Sequence, residues 1–301
     1  LLGCPVELAL FTGTPGYYRK PTIQVMDQKG QVLAFVKVAV NVQTEAMLAN
    51  EYFILKLLQE LKPQHFSVPP VLHYGKVAGN GMLVLESAKK ASDRGPQKFG
   101  KEHLNFLAEI WQKTFIRGDF KSSPAWQELT WRYAKVSPRL ASDWRRRLQA
   151  TMEMVERRSR ELNFLTLAHR DFTPWNTYLK GNRLVIFDWE MAREPWPLFY
   201  DLFHFIIQPQ AFLTTKSGRQ ILQKLAGEPM RMAQGCLSRA GNEGVPWELY
   251  LLFYLLDISL FYHEMDFLEK GLWHEEHCRL FSVWGGMLDL LIKGEKIRCG
   301  C

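Results

Sequence analysis

The sequence predicts an α+β chain of two lobes. The first is a small N-terminal lobe with a five-stranded antiparallel sheet and one helix; the second is larger, mainly helical and C-terminal. Three observations carry this. Short runs rich in β-branched and aromatic residues fill the first 87 residues, parted by turn signals and enclosing a single helical repeat. A polar stretch holding Gly and Pro, "SAKKASDRGPQKFG", follows and reads as a linker. Beyond it helical periodicity dominates, interrupted by a loop and two short strands within residues 168–190. The lobes are therefore set at 1–87 and 88–301.

The elements follow in order. "VELALFTG", "KPTIQVMD" and "QVLAFVKVAV" read as strands, separated by "GTPG" and "DQKGQ". In "TEAMLANEYFILKLLQEL", Ala46, Leu48, Tyr52, Leu55 and Leu58 recur at helical spacing. "VPPVLHYGKVAG" and "GMLVLESA" supply two more strands around the turn "AGNG". Next come the helices "KEHLNFLAEIWQKTF" and "SPRLASDWRRRLQATMEMVERRSREL". The latter is expected to start with Ser137 as N-cap and Pro138 at its first position. The pattern is helical again from residue 211. "YLLFYLLDISLFY" from Tyr250 is broken by Asp257 and Ser259 and is too short to span a bilayer, so it reads as a buried core helix.

A chain of 301 residues is long enough for a two-lobed unit with a real core, and 47% hydrophobic with 23% charged residues excludes a disordered chain. The net charge of +7 suits anionic partners, nucleotides among them. The excess is spread out, and its densest part, "WRRRLQATMEMVERRSR", lacks interleaved stacking aromatics, so no nucleic acid partner is expected. Five scattered cysteines, Cys4, Cys236, Cys278, Cys299 and Cys301, read as reduced thiols of a cytoplasmic protein. The terminal "CGC" reads as a frayed tail rather than a soft-metal site. No signal peptide opens the sequence, and it begins at Leu1 without Met, which leaves room for residues upstream.

Several motifs carry no chemistry. "GPQKFGKE" has the spacing of a phosphate loop, but Glu102 stands where Ser or Thr would bind metal, and no apolar strand precedes it. "HEEHC", from His274 to Cys278, and "HEMDF" at His263 lack the i, i+4 histidine pair of a zinc helix, and both read as solvated or partly buried helix faces.

"AHRDFTPWNTYLKGNRLVIFDWE" is different. Asp171 is followed five positions later by Asn176, and "TYLKG" with "RLVIF" forms a hairpin that ends at Asp188. Phosphoryl transfer needs a carboxylate to orient the attacking hydroxyl and oxygen ligands to hold Mg²⁺, and kinase-type loops use this Asp-x₄-Asn spacing with a second Asp after the next strand pair. Asp and Asn also cap turns, but upstream residues fall in the matching order. Lys37 lies among apolar neighbours in "AFVKVAV", where an ammonium needs an anion. Glu51 or Glu45 on the following helix could pair with it. Gly13 and Gly16 in "FTGTPG" either cover phosphates or form a simple turn.

With these motifs the chain resembles the aminoglycoside phosphotransferase and choline kinase group, the small-molecule branch of the protein-kinase-like fold. The resemblance runs over nearly the whole chain: "HRDFTPWN" and "IFDWE" carry it, with "FYDLFHF" and "NEYFILKLLQEL…VPPVL" beside them. It implies Asp171 as catalytic base, Asn176 and Asp188 as Mg²⁺ ligands, Lys37 on the nucleotide phosphates and Glu51 positioning Lys37. Gly13 and Gly16 would cover the phosphates, the backbone at Leu85–Ser87 would meet adenine, and Asp201 would brace the catalytic loop. Two features depart from the pattern: Arg170 stands where Gly or a small residue is usual, and the glycine loop is sparse. The gap from Asp188 to Asp201 is too short for an activation segment and lacks Ala-Pro-Glu.

The expectation is an ATP- and Mg²⁺-dependent kinase transferring the γ-phosphoryl group to a hydroxyl of a sugar, glycan or amino alcohol. The basic charge favours a neutral or anionic acceptor. The alternatives are an inactive kinase-like nucleotide-binding module and a protein kinase. Retention of all five polar residues speaks against the first, and the short gap after Asp188 against the second.

Overall fold

The structure, a computed structural model, describes residues 3, 5–13, 16–87, 93, 95, 98–269, 274–295 and 297, without the side chains of 274–276. Cys4, the terminal "CGC" and part of "GPQKFGKE" lie outside the described residues. In chain order, β1 (Glu7–Phe11), β2 (Thr22–Met26) and β3 (Val32–Val38) lead to α1 (Val42–Glu60). Then come β4 (Phe66–Ser67), β5 (Val71–Val77) and β6 (Asn80–Glu86). Next are α2 (Lys101–Thr114), β7 (Ile116–Arg117), α3 (Pro124–Val136), α4 (Ser142–Arg157) and β8 (Phe164–Ala168). The hairpin β9 (Thr177–Lys180) and β10 (Arg183–Ile186) precedes β11 (Arg193–Pro197) and five helices: α5 (Tyr200–Leu213), α6 (Gly218–Ala226), α7 (Glu228–Arg239), α8 (Trp247–Leu268) and α9 (His274–Ile292).

The chain packs as two compact units, one of residues 1–98 with 174–192 and the other of residues 99–173 with 193–301. In the first, the alternating runs pair as expected into an antiparallel sheet of order β1-β2-β3-β6-β5. Val25, Ala34 and Val84 form its core with Val36, Leu72 and Met82 against them. Asn41 caps α1: its side chain accepts from Thr44 N–H at 2.8 Å, and Thr44 Oγ1 accepts from Asn41 N–H at 3.0 Å. Leu48, Leu55 and Leu58 of α1 are buried. A second small sheet, β4-β10-β9, carries the hairpin. Residues 174–192 thus pack with the N-terminal strands, although a division at residue 87 leaves them with the helices. Gly95 approaches the same segment: a Cβ there would lie 2.7 Å from the carbonyl oxygens of both Pro174 and Thr177, so glycine alone fits.

The second unit holds the antiparallel sheet β11-β8-β7 and the remaining helices. Tyr250 through Leu260 of α8 are all buried, Asp257 and Ser259 included, as expected of a core helix. Aromatic rings of Trp196, Tyr200, Phe253 and Tyr254 pack edge-on around it. Residues 137–139 correct the expected helix start. Ser137 closes α3, its N–H donating to Tyr133 O, and residues 137–139 make one 3₁₀ turn. Leu140 is then extended, so the arginine-rich helix starts at Ser142. Helix α3 itself has no counterpart in the sequence reading. Ser123 opens it, accepting from Trp126 N–H at 3.3 Å, with Pro124 at its first position. Arg145, Arg146, Arg157 and Arg160 face solvent while Leu148, Thr151 and Val155 are buried, so this is a solvated face. His263 is buried and stacks on Phe281 at 3.9 Å, a core residue. Among the described residues no helix is long and apolar enough to cross a membrane.

Candidate active site

Two groups of polar residues stand out, one in each unit. In the first, β3 presents Lys37 and α1 presents Glu51, and the ammonium lies 2.9 and 2.7 Å from the two Glu51 oxygens. Glu45 pairs instead with Lys76 at 2.9 Å, which settles the choice between the two glutamates. Lys37 also donates to Asp188 Oδ1 at 2.6 Å and lies 3.5 Å from Glu190 Oε2. Lys20 donates to Glu190 Oε1 at 2.7 Å. Burial opposes the charge on Lys37, but Asp188, Glu51 and Glu190 outweigh it and push the ammonium pKa up. Burial, reinforced by Asp188, pushes the Glu190 carboxyl up to about 7. Burial likewise raises Glu51, against the pull of Lys37.

Local backbone sets this group. Asp188 sits in the left-handed region at φ 70°, where its short side chain is tolerated, and a 3₁₀ turn over Trp189–Met191 follows. Trp189 is wholly buried and donates its indole N–H to Ile186 O at 3.0 Å. Asn50 of α1 donates to the carbonyls of Glu190 and Ala192 at 2.9 and 3.0 Å, anchoring the turn to the helix that carries Glu51. At the other end of the hairpin, the carbonyl of buried Asn176 accepts from Phe187 N–H at 3.2 Å. Asn176 and Asp188 therefore flank the hairpin's open end. Carboxylate oxygens of Glu51, Asp188 and Glu190 lie within 4.8 Å of one another. Hard oxygen donors of this kind suit a divalent cation such as Mg²⁺, and with Glu51 held by Lys37 and Glu190 by Lys20, Asp188 is the most exposed of the three to receive one.

Gly13, Gly16, Leu85 and Ser87, expected on the nucleotide side, lie in the same unit. Gly13 takes a left-handed φ of 69°, and the Gly16 carbonyl accepts from Arg19 N–H at 3.1 Å, closing a turn over residues 16–19. Leu85 pairs with Phe35 across β6 and β3, and Ser87 N–H donates to Leu33 O at 2.9 Å.

In the second unit, the loop after β8 holds His169, Arg170 and Asp171. Asp201, in the first turn of α5, accepts from His169 N–H at 2.8 Å and from Arg170 N–H at 2.9 Å. Burial raises the Asp201 carboxyl, while His169 and these two N–H groups work against the rise. Arg170 has φ 68°, a left-handed conformation that favours glycine over a residue with a side chain. Its guanidinium is fixed instead: 3.0 Å from Glu128, 3.3 Å from Asp257 and 4.0 Å over the Trp196 ring. Burial opposes ionisation of Glu128, but Arg170, Arg132 and Arg193 overrule it and hold it at about 2. Arg132 extends the network to Asp257 and Glu264, both at 3.0 Å. Asp171 Oδ1 lies 3.3 Å from His204 Nε2, one turn beyond Asp201 on α5. Glu190, Glu128 and His204 have no place in the sequence reading. "FDWE" and the Asp-x-x-His of "YDLFHF" are the signals that could have raised the first and last.

Comparisons with known proteins bear on the family and the fold. The model of the family described as "Phosphotransferase enzyme family" matches residues 21–228. No curated protein sequence matches significantly. Among solved structures, a choline/ethanolamine kinase family protein from Mesorhizobium loti superposes with a TM-score of 0.60 at 13% identity, over 98% of this chain and 91% of its own. The GDP and kanamycin complex of an aminoglycoside 2''-phosphotransferase gives 0.57 at 14%, over 98% and 96%. An amicoumacin kinase in complex with AMP-PNP and Ca²⁺ gives 0.56 at 14%, over 97% and 89%. At such identities the structural likeness speaks for the fold, which is kinase-like. The family match spans well over half the sequence, and the chain belongs to the phosphotransferase enzyme family.

Proposed function

We infer that the chain is an ATP- and Mg²⁺-dependent kinase that transfers the γ-phosphoryl group to a hydroxyl of a small molecule, a sugar, glycan or amino alcohol. One observation carries this reading: the buried ammonium of Lys37 is held between Glu51 and Asp188. An ammonium so held would meet nucleotide phosphates, and Asp188 alongside it would meet their metal.

The unit of residues 1–98 and 174–192 would take the nucleotide. Lys37 would contact phosphate oxygens with Glu51 holding its side chain in place, the turn at Gly13 and Gly16 would cover them, and β6 at Leu85–Ser87 would border the base. Asn176 and Asp188 offer the amide and carboxylate oxygens that Mg²⁺ takes, and bound there it would neutralise charge on the phosphates. In the other unit, Asp171 would accept the proton of the acceptor hydroxyl as the oxygen attacks phosphorus. Asp201 keeps the backbone of that loop in place. The carboxylates Glu128, Asp257 and Glu264 are neutralised by Arg132, Arg170 and Lys135, which favours a neutral acceptor over a polycation.

The test is ATP turnover across a panel of sugars, glycans and amino alcohols, in the wild type and in Asp171→Asn and Asp188→Asn. Both variants are expected to lose at least a hundredfold in kcat. Unchanged turnover in both sinks the assignment.

A further inference from the structure

The side chain of His204 stands between the loop that carries Asp171 and the buried face of α8. Its Nε2 lies 3.3 Å from Asp171 Oδ1, and its Nδ1 lies 3.3 Å from the hydroxyl of Tyr254. His204 is 2% exposed and Tyr254 is 0% exposed, whereas 40% of the Asp171 side chain is open. An imidazole in that position has its tautomer set by its neighbours. A carboxylate can only accept, so Nε2 carries the proton and donates to Asp171. Nδ1 is then left as an acceptor, and the Tyr254 hydroxyl donates to it. The Tyr200 ring lies parallel to the imidazole, at 11° with 6.4 Å between the ring centroids.

The spacing on α5 adds a second observation. Asp201 grips the backbone N–H groups of His169 and Arg170, and His204, three positions on, reaches the side chain of the next residue in the loop. Residues at i and i+3 share a helix face. One face of α5 therefore holds both the path of the loop and the carboxylate at its tip. We propose that His204 is a positioning residue for the phosphoryl transfer, fixing the rotation of the Asp171 carboxylate through an Nε2–H bond whose direction Tyr254 sets. This inference rests on Asp171 acting as the base. Tyr262, on the same helix as Tyr254, accepts from Gln208 Nε2 at 2.7 Å, and burial together with the Asp171 carboxylate pushes its hydroxyl pKa up.

The test compares His204→Leu, His204→Gln and Tyr254→Phe with the wild type, with melting temperature and nucleotide-induced thermal shift as controls for folding. Leucine removes the N–H, and glutamine restores one at a similar reach. His204→Leu is expected to lower kcat on the order of ten- to a hundredfold with the KM for nucleotide unchanged. His204→Gln should recover most of that loss, and Tyr254→Phe should cost less than His204→Leu in the same direction. In an Asp171→Asn background, His204→Leu should have no further effect on kcat. Nitrogen NMR of the imidazole reads the contact without turnover, and the Nε2–H tautomer is expected. An active wild type whose kcat survives His204→Leu within twofold, or an Nδ1–H tautomer, overturns the positioning role alone. A wild type that phosphorylates no acceptor overturns the kinase reading and takes this inference with it.

Discussion

Glu51 Oε2 and Lys37 Nζ meet at 2.7 Å, joining the middle strand of the N-terminal sheet to the buried face of α1. The partnership is unequal. Lys37 also serves Asp188 and approaches Glu190, whereas Glu51, with no exposed side-chain surface, has Lys37 as its ion-pair partner. Removing the amine takes the partner from buried Glu51 and an ion pair from Asp188, while Glu190 keeps Lys20, and removing Glu51 leaves the amine still paired. Lys37→Met is therefore expected to destabilise the protein by about 3 kcal/mol and Glu51→Gln by distinctly less. Urea unfolding at neutral pH without nucleotide measures both, and the reverse order contradicts the arrangement.

Arg170 lets backbone strain be separated from charge. Its ion pairs to Glu128 and Asp257 favour arginine, while its φ of 68° favours glycine. Alanine loses the pairs and keeps the strain; glycine loses the pairs and relieves it. Arg170→Ala should cost about 3 kcal/mol, and Arg170→Gly about 1 kcal/mol less than that. Equal losses in chemical denaturation show that the left-handed backbone carries no penalty.

Stability at mild acidity should depend on His263. Burial lowers its pKa from 6.5 to about 4, so between those values the unfolded chain binds the proton and the folded one does not. Its contribution is complete above about 6.5 and is lost as pH falls through 4, an effect of roughly 3 kcal/mol at most. His263→Phe keeps the stacking on Phe281 and removes the titration. Its melting temperature should fall less than that of the wild type between pH 6.5 and 4; parallel curves refute the buried neutral imidazole.

Gly95 should tolerate no side chain. A methyl group would sit 2.7 Å from two carbonyl oxygens of the segment that contains Asn176. Gly95→Ala is expected to lower stability by about 1–3 kcal/mol and to weaken metal-dependent nucleotide binding, read as a smaller thermal shift with ATP and Mg²⁺. A wild-type shift in the variant shows that residues 174–177 are held from elsewhere.

The strands, α1 and the polar residues of the candidate site were legible because each rests on local pattern. Alternation marks a half-buried strand, and an ammonium among apolar residues demands a partner wherever the chain goes. Lys37, Asp171, Asn176 and Asp188 are singled out by such rules. What was not legible depends on residues distant in sequence. Arg170 reads as an oddity until Glu128 and Asp257 are brought beside it, 42 and 87 positions away. His204 gains a role only because α5 turns Asp201 and His204 to one loop. Helix α3 is not legible because few of its residues are buried and one of those is Arg132, and Ser137–Pro138, which reads as the start of a helix, closes one. Proline suits either side of such a boundary.

The short stretch from Ala168 to Glu190 is contiguous in sequence and divided in packing. Residues up to 173 belong to the helical unit and those from 174 to the sheet unit. Transplanted into another scaffold, these residues would bring the motif without Asp201 to hold its first half or Asn50 to hold its second. A chain can thus match the motif letter for letter and lack the activity, and a search for working relatives should ask for the Asp and Asn that anchor it as well as for the motif itself.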